Sequence, residues 1–292
     1  MKKLVVIRGG GELATGIAHR LHNTGFQVLM LEKAAPSAIR RDIVFAEAVY
    51  DGEKKVERTI CTRADSLHDA EKMLKNGQIV IMVDPEADCL QKLKPRILID
   101  AIYAKRNMGT YMDMADFTVA IGPGFVAGRD VNCVIETTRG HNLGRIIYEG
   151  QALPEKETVE LRALMRASHS INAPCDGYLE AGHPLSYIVK KDEVIAKLNM
   201  DGGNVFEIKA PVEGVLRGLL HDGCPVRTGL KIAEIDPSTQ PANCTTISAK
   251  SRCISGSVLE AIMVWENSHA KKSRFSWKKY NETYSVGALD SH

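Results

Sequence analysis

Apolar positions in the first half of the chain come in short runs that stop at glycine or an acidic residue, with longer periodic stretches between them. Residues 4–7 (Leu-Val-Val-Ile) are unbroken and β-branched-rich, fit for a strand buried on both faces. Beyond Gly9-Gly10-Gly11, Leu13, Ile17 and Leu21 recur every four residues beside Ala14 and Ala18, which makes one apolar face of a helix. Asn23-Thr24-Gly25 stops that helix, and residues 28–31 form a second strand ending in Glu32. Runs at 78–83, 96–99, 117–121 and 131–136 predict further strands, and 66–76 predicts a helix capped by Asp65 or Ser66. Residues 42–63 alternate less cleanly and read as a strand or hairpin insertion. Strands alternating with helices predict an α/β protein whose N-terminal part is a Rossmann-like, mostly parallel sheet covered on both faces.

Open parallel sheets bind ligands beyond the carboxyl ends of their strands. Arg8, Gly9, Glu32, Asp84, Asp100 and Gly122 occupy those ends and are candidates on topology alone. The run Gly9-x-Gly11-x-x-Ala14 follows a strand and opens a helix, where backbone N–H groups and the positive end of the helix dipole favour a phosphate. Glu32 lies 21 residues after Gly11, placed to accept from a ribose hydroxyl. The alternative is a glycine turn that only packs a strand on a helix. Arg40-Arg41 meets a phosphate or is a solvated basic pair.

A second glycine turn runs Gly122-Pro123-Gly124-Phe125-Val126-Ala127-Gly128-Arg129-Asp130, and its N–H groups can form an anion-binding nest. Glu136, Thr137, Arg139, Gly140, His141 and Arg145 follow, either as functional groups or as a loop whose polar side chains satisfy one another. The candidate cofactor-binding set is therefore Gly9, Gly10, Gly11, Glu12, Leu13, Glu32, Asp84, Asp100, Gly122, Gly124 and Arg129. No catalytic signature and no metal set is visible.

The second half contains a repeat. Ala173-Pro174, Gly177 and Ile195 recur as Ala210-Pro211, Gly214 and Ile232, each displaced by 37 residues. The pattern resembles the barrel-sandwich fold of biotinyl and lipoyl domains, with Glu207-Ile208-Lys209-Ala210-Pro211 matching the stretch after the modified hairpin. Seven residues before Ala210, where that resemblance puts the attachment lysine, stands Gly203. Neither biotin nor lipoate is expected. The boundaries read as a Rossmann-like nucleotide- or cofactor-binding domain over 1–153, a charged, helix-prone linker over 154–170, a barrel-sandwich-like β domain over 171–240, and a C-terminal extension over 241–292. Within the extension, 246–254 and 256–264 read as a strand and a helix, and a polar tail with Phe275, Trp277, Tyr280 and Tyr284 follows. That tail frays or folds onto a partner subunit, and a homo-oligomer is expected.

Composition narrows the partners. A net charge of +2 from 38 basic and 36 acidic side chains supplies no field for nucleic acid or an anionic membrane. No run approaches the ~20 apolar residues a membrane helix needs. Seven scattered cysteines, none in a CxxC pair, read as reduced thiols, and a cytoplasmic location is expected.

Three stretches together carry a family likeness: Arg8 to Gly16, Gly122-Pro123-Gly124-Phe125 through Arg139-Gly140-His141-Asn142-Leu143-Gly144-Arg145, and Gly214 to Gly223. They resemble the YqeB-type accessory proteins of selenium-dependent molybdenum hydroxylase systems, over a span from the N-terminus to about Ile262. Residues 154–170 depart from the family pattern, and the tail beyond Val264 lies outside it. The resemblance implies a role in maturing or loading the hydroxylase, which would then be a partner, and it transfers no catalytic residue. More distantly, the first half looks like the nucleotide-binding half of xanthine dehydrogenase accessory proteins, which handle molybdenum cofactor. A molybdopterin dinucleotide carries a pyrophosphate, so the Gly9 turn suits it as well as an NAD(P)-type nucleotide. The competing readings are an NAD(P)-dependent oxidoreductase and a non-catalytic interaction scaffold.

Overall fold

A computed structural model describes residues 3–154, 169–237 and 240–270. The helix-prone stretch 155–168 and the aromatic tail 271–292 lie outside the described residues. Strands β1 (Leu4–Arg8), β2 (Gln27–Glu32), β3 (Glu53–Val56), β4 (Thr59–Ala64), β5 (Ile79–Val83), β6 (Ile97–Asp100), β7 (Phe117–Ile121), β8 (Cys133–Ile135) and β9 (Ile146–Ile147) form one nine-stranded sheet in the order β3-β4-β5-β2-β1-β6-β7-β8-β9. Helices α1 (Glu12–Asn23), α2 (Ala48–Asp51), α3 (Leu67–Lys75) and α4 (Leu90–Leu93) connect its strands.

The expected fold is corrected on two counts. The first sheet is mixed where a Rossmann-like, mostly parallel sheet was expected: its interior pairings are parallel, but both margins are antiparallel. Residues 42–63 build 3-10 turns, α2 and the hairpin β3–β4, whose antiparallel pairing makes one margin. β9 folds back antiparallel on β8 and makes the other. The second correction concerns residues 171–240, which are not the small all-β barrel-sandwich domain expected. They join strand β10 (His169–Asn172) in two four-stranded antiparallel sheets. One has the order β10-β17-β15-β12, built with β12 (Ile188–Val189), β15 (Gly214–Leu219) and β17 (Lys231–Asp236). The other has the order β14-β13-β11-β16, built with β11 (Gly177–Ala181), β13 (Val194–Asn199), β14 (Val205–Lys209) and β16 (Pro225–Val226). The two halves of the 37-residue repeat are thus split between both sheets. The first of these sheets also docks on the N-terminal half: Leu219 N donates to Ile39 O at 2.8 Å, and a Cβ on Gly218 would meet the Ile39 side chain at 2.9 Å. Burial of Leu219 and Ile232 belongs to this packing, which local periodicity does not encode.

The expected strand over 246–254 is also replaced. Helix α5 (Ala249–Ala270) runs through it, because Ile254, Val258, Ala261, Ile262 and Trp265 repeat at helical spacing and bury in the core under α1. Gly16 permits this packing: a Cβ there would lie 2.9 Å from Ser251 Cβ. Arg20 Nε donates to Ser255 Oγ at 2.9 Å across the same contact, and Trp265 stacks on Phe117 with ring centroids 5.2 Å apart. The C-terminal extension therefore completes the core of the first sheet. Alternation along β1 sends Val5 and Ile7 to the α1 and α5 face and Leu4 and Val6 to the α3 and α4 face.

Candidate functional site

The chain leaves β1 through a turn that only glycine fits. Gly9 has φ +102°, and a Cβ there would lie 2.8 Å from Ala101 O. Gly9 N donates to Leu31 O at 2.7 Å. A Cβ on Gly10 would press on Ala46 at 3.1 Å, and Gly10 O accepts from Ala46 N at 3.0 Å. Gly10 N donates to Glu32 Oε2 at 2.7 Å, while Lys33 N donates to Glu32 Oε1 at 2.9 Å. Glu32 thus anchors the turn from the end of β2. Gly11 differs from both neighbours: no atom lies within 4 Å of the place a Cβ would take, and among the described residues no side chain caps α1. The first-turn N–H groups of α1 therefore have no side-chain cap among the described residues and carry the positive end of the helix dipole. The Glu12 side chain turns aside to accept from Arg40 Nη1 at 3.0 Å, and Leu13 is buried. Only the backbone of these two residues is free to serve the turn.

Arg8 and Asp100 share the strand-end position but project on the other face, in register with Val6 and Leu98. Buried Arg8 donates through Nη1 to Thr110 Oγ1 (2.7 Å) and through Nη2 to Pro85 O (2.8 Å) and Met108 O (3.1 Å). Thr110 Oγ1 donates to Asp100 Oδ2 at 2.6 Å. Burial pushes the Asp100 carboxyl up, against the Thr110 hydrogen bond and the Arg8 charge. Asp84 accepts from Asp88 N and Cys89 N, each at 2.9 Å, and caps the turn before α4. These three side chains knit the loops after β1, β5 and β6, and the structure does not bring them to the α1 terminus.

The second glycine turn is filled by protein. A Cβ on Gly122 (φ +80°) would lie 2.7 Å from the Tyr103 ring, and one on Gly124 (φ +108°) 2.7 Å from Arg106 Cα. The loop that leaves β6 therefore lies against both glycine turns, at Ala101, Tyr103 and Arg106. Arg129 is exposed and pairs with Asp130 at 2.9 Å. Glu136 is buried and accepts from Thr137 N (2.7 Å), Thr138 N (2.8 Å) and Leu153 N (2.8 Å). Within this stretch polar groups satisfy one another.

Sequence reasoning missed the seam between the two halves. Arg40, one of the two candidate phosphate-binding arginines, bridges Glu12 (3.0 Å) and Glu234 (2.7 Å). Arg41 Nε donates to Leu219 O at 2.8 Å. Beside them Glu47, only 2% exposed, meets His221 Nδ1 through Oε2 at 3.0 Å, with Arg41 Nη1 at 3.8 Å. The His221 ring stacks on Tyr50 with centroids 4.0 Å apart and planes 6° apart. Burial pushes Glu47 up, opposed by the His221 hydrogen bond and the Arg41 charge. Burial also pushes up Tyr50 and the Cys224 thiol beside it. One signal was available: Glu47 is the single charged residue in the apolar run from Ile43 to Val49. A separate cleft of about 220 Å³, lined by Gly16, His19, Arg20, Arg252 and Ser255, lies along the other end of α1.

The fold and turn together define an α/β protein that presents a glycine turn and an uncapped helix at the centre of a mixed sheet. No protein-family model matches the chain. It is 44% identical over 273 residues, 93% of its length, to a protein of Escherichia coli K12 named "Uncharacterized protein YqeB". The chain spans 49% of that relative, about half its length. The YqeB-type resemblance fits at this level. Among solved structures, the chain is similar to a putative succinylglutamate desuccinylase/aspartoacylase family protein of Shewanella amazonensis SB2B (13% identity, TM-score 0.23, 49% of this chain and 55% of that one). It is also similar to a succinylglutamate desuccinylase of Silicibacter sp. TM1040 (12%, TM-score 0.25, 80% and 84%). A succinylglutamate desuccinylase/aspartoacylase of Rhodobacter sphaeroides matches at 13% identity and TM-score 0.25, over 82% and 87% of the two chains. No helix among the described residues is long and apolar enough to cross a membrane.

Proposed function

We propose that this chain is an accessory protein that binds a nucleotide-bearing cofactor at the glycine turn opening α1 and serves the maturation of a selenium-dependent molybdenum hydroxylase. The observation that carries the binding step is the open space at Gly11 in front of an uncapped helix. A pyrophosphate approaching there would receive N–H groups from Gly11, Glu12 and Leu13, at a terminus whose dipole favours negative charge. Molybdopterin dinucleotide and NAD(P) both carry that group. The Glu32 carboxylate is already taken by Gly10 N and Lys33 N, and so is less open to the ribose hydroxyl of either ligand. The hydroxylase part of the reading rests on the resemblance of the three stretches quoted above.

Native mass spectrometry and thermal shift with molybdopterin dinucleotide, NAD(P) and nucleoside phosphates test it. Binding of one of them, lost on Gly11→Asp, is expected; no adduct and no shift with any of them refutes the binding step. A scaffold role is a second reading. It is favoured by the exposed row of Tyr178 and Val205, which both align with Asn199 across β11, β13 and β14. Capture of the hydroxylase by the full chain, unchanged by Gly11→Asp but lost on Tyr178→Glu, would favour that reading instead.

A further inference from the structure

The cleft of about 220 Å³ beside the last turns of α1 takes no part in the glycine turn. Past His19 and Asn23 it opens into a wider depression of about 620 Å³, lined on its other side by Glu57 and Arg58. Helix α1, the start of α5 and the tip of the β3–β4 hairpin meet there. The tip is Glu57-Arg58, and Glu57 stands at φ +52°, a left-handed conformation that two-residue hairpin turns usually give to asparagine or glycine. Its carboxylate holds it there: it accepts from Ile247 N at 3.0 Å, pairs with Arg252, and lies 3.6 Å from His19 Nε2. The next side chain, Arg58, is thereby placed along the depression, exposed and with no hydrogen-bond or ion-pair partner among the described residues.

Arg20 supplies a second guanidinium whose charge meets no carboxylate. Its Nε donates to Ser255 Oγ at 2.9 Å and its Nη2 to Arg252 O at 3.2 Å, both neutral acceptors, and its Nη1 has no partner among the described residues. The charges lining the two spaces are therefore Arg20, Arg58 and Arg252 against Glu57, a surplus of two positive charges. The histidines leave that surplus unchanged. Burial holds His19 below its ordinary value, aided by the Arg252 and Arg20 charges and opposed by Glu57, and burial lowers His22 as well. The helix ends do not reverse it either. The last carbonyls of α1 are capped by Thr24 N, Gly25 N and Phe26 N, and α5 begins just after Ile247 with its positive end toward the cleft.

We propose that this cleft binds a small dianion, phosphate or a phosphate monoester, with Arg20 and Arg58 as its charged binding groups. A dianion matches the surplus of two charges, and a guanidinium fork presents paired N–H donors to phosphate oxygens. Asn23 and the neutral His19 ring line the space where the two parts of the cleft join. The site is separate from the glycine turn and does not depend on the reading of it.

The test follows the isotope-labelled full chain by nuclear magnetic resonance at constant ionic strength and about pH 8, where both histidines are neutral and phosphate is a dianion. Inorganic phosphate and glycerol phosphate are the probes, each titrated alone. The expected result is a saturable shift of the His19 ring resonances. Arg58→Gln should weaken affinity on the order of tenfold, the worth of one charge-assisted hydrogen bond. Lys75→Gln, which removes the same charge from exposed α3, should leave affinity unchanged. Tighter saturation by glycerol phosphate supports an ester as the ligand, and tighter saturation by inorganic phosphate supports the free ion. A His19 shift that fails to saturate with either probe overturns the proposal. Equal weakening by the two variants also overturns it, because general charge and not the cleft would then attract the anion.

Discussion

Replacing Arg40 with methionine should destabilise the protein strongly at neutral pH and hardly at all in strong acid. Arg40 sits at 2.7 Å from Glu234, a carboxylate with 5% of its side chain exposed, and Lys231 sits at 2.6 Å on the other side. Burial pushes the Glu234 carboxyl up, but the Arg40 and Lys231 charges and hydrogen bonds outweigh it and hold the group at about 2, below its ordinary 4.5. At about 1.4 kcal/mol per unit, that depression is worth about 3 kcal/mol of folding stability. The sign follows from the direction. A carboxyl whose folded value is depressed stabilises fully above its ordinary value, and that contribution is lost as pH falls from 4.5 toward about 2. Lys231 remains in the variant and the partner Glu12 is a quarter exposed, so Arg40 carries the larger part, about 2 kcal/mol. Urea denaturation at a series of pH values measures it. The gap between wild type and Arg40→Met should be about 2 kcal/mol at neutral pH and shrink below about 0.5 kcal/mol near pH 2. A gap that stays constant across that range, or that is absent at neutral pH, refutes the assignment of Glu234 as the linked group.

Three further outcomes follow from packing and burial. Gly16→Val places methyl groups where a Cβ alone already approaches Ser251 Cβ to 2.9 Å, so α1 and α5 must part at a cost of about 2 kcal/mol, read as a lowered denaturation midpoint. Trp265→Ala removes a ring that is 4% exposed and stacked on Phe117, for a loss of about 4 kcal/mol in the same assay; a change below about 1 kcal/mol would mean that α5 does not share the first core. Thiol alkylation followed by peptide mass mapping should label exposed Cys253 first and leave Cys61 and Cys133 untouched in the native protein. Burial pushes both of those thiols up and shields them, so early labelling of either would contradict their place in the sheet core.

Local chemistry made several elements legible along the chain. The apolar run at 4–7, the helical repeat of Leu13, Ile17 and Leu21, and the stop at Gly25 each depend on residues within a turn or two of one another, and β1, α1 and β2 form there. The turn at Gly9 was readable for the same reason, since a run of glycines directly after an apolar strand marks a backbone turn. The 37-residue repeat was readable as a repeat. Its pairing was not, because which strands share a sheet depends on the surface each half meets, and here one sheet meets Ile39.

What the amino-acid order determined by itself, then, was periodicity, turn chemistry and the position of one glycine turn. Tertiary structure decided the antiparallel margins of the first sheet, the return of α5 to α1, and the engagement of Glu32 by Gly10 N. It also assembled the seam: Arg40 meets Glu234 across 194 residues of sequence, and His221 meets Glu47 across 174. The physical reason is one of range. Hydrophobic period and backbone strain act over a few residues and leave their mark in the local sequence. Ion pairing and desolvation act over a few ångströms between residues that only folding brings together, so a buried carboxylate such as Glu47 shows in the sequence as an oddity, and its partner does not show at all.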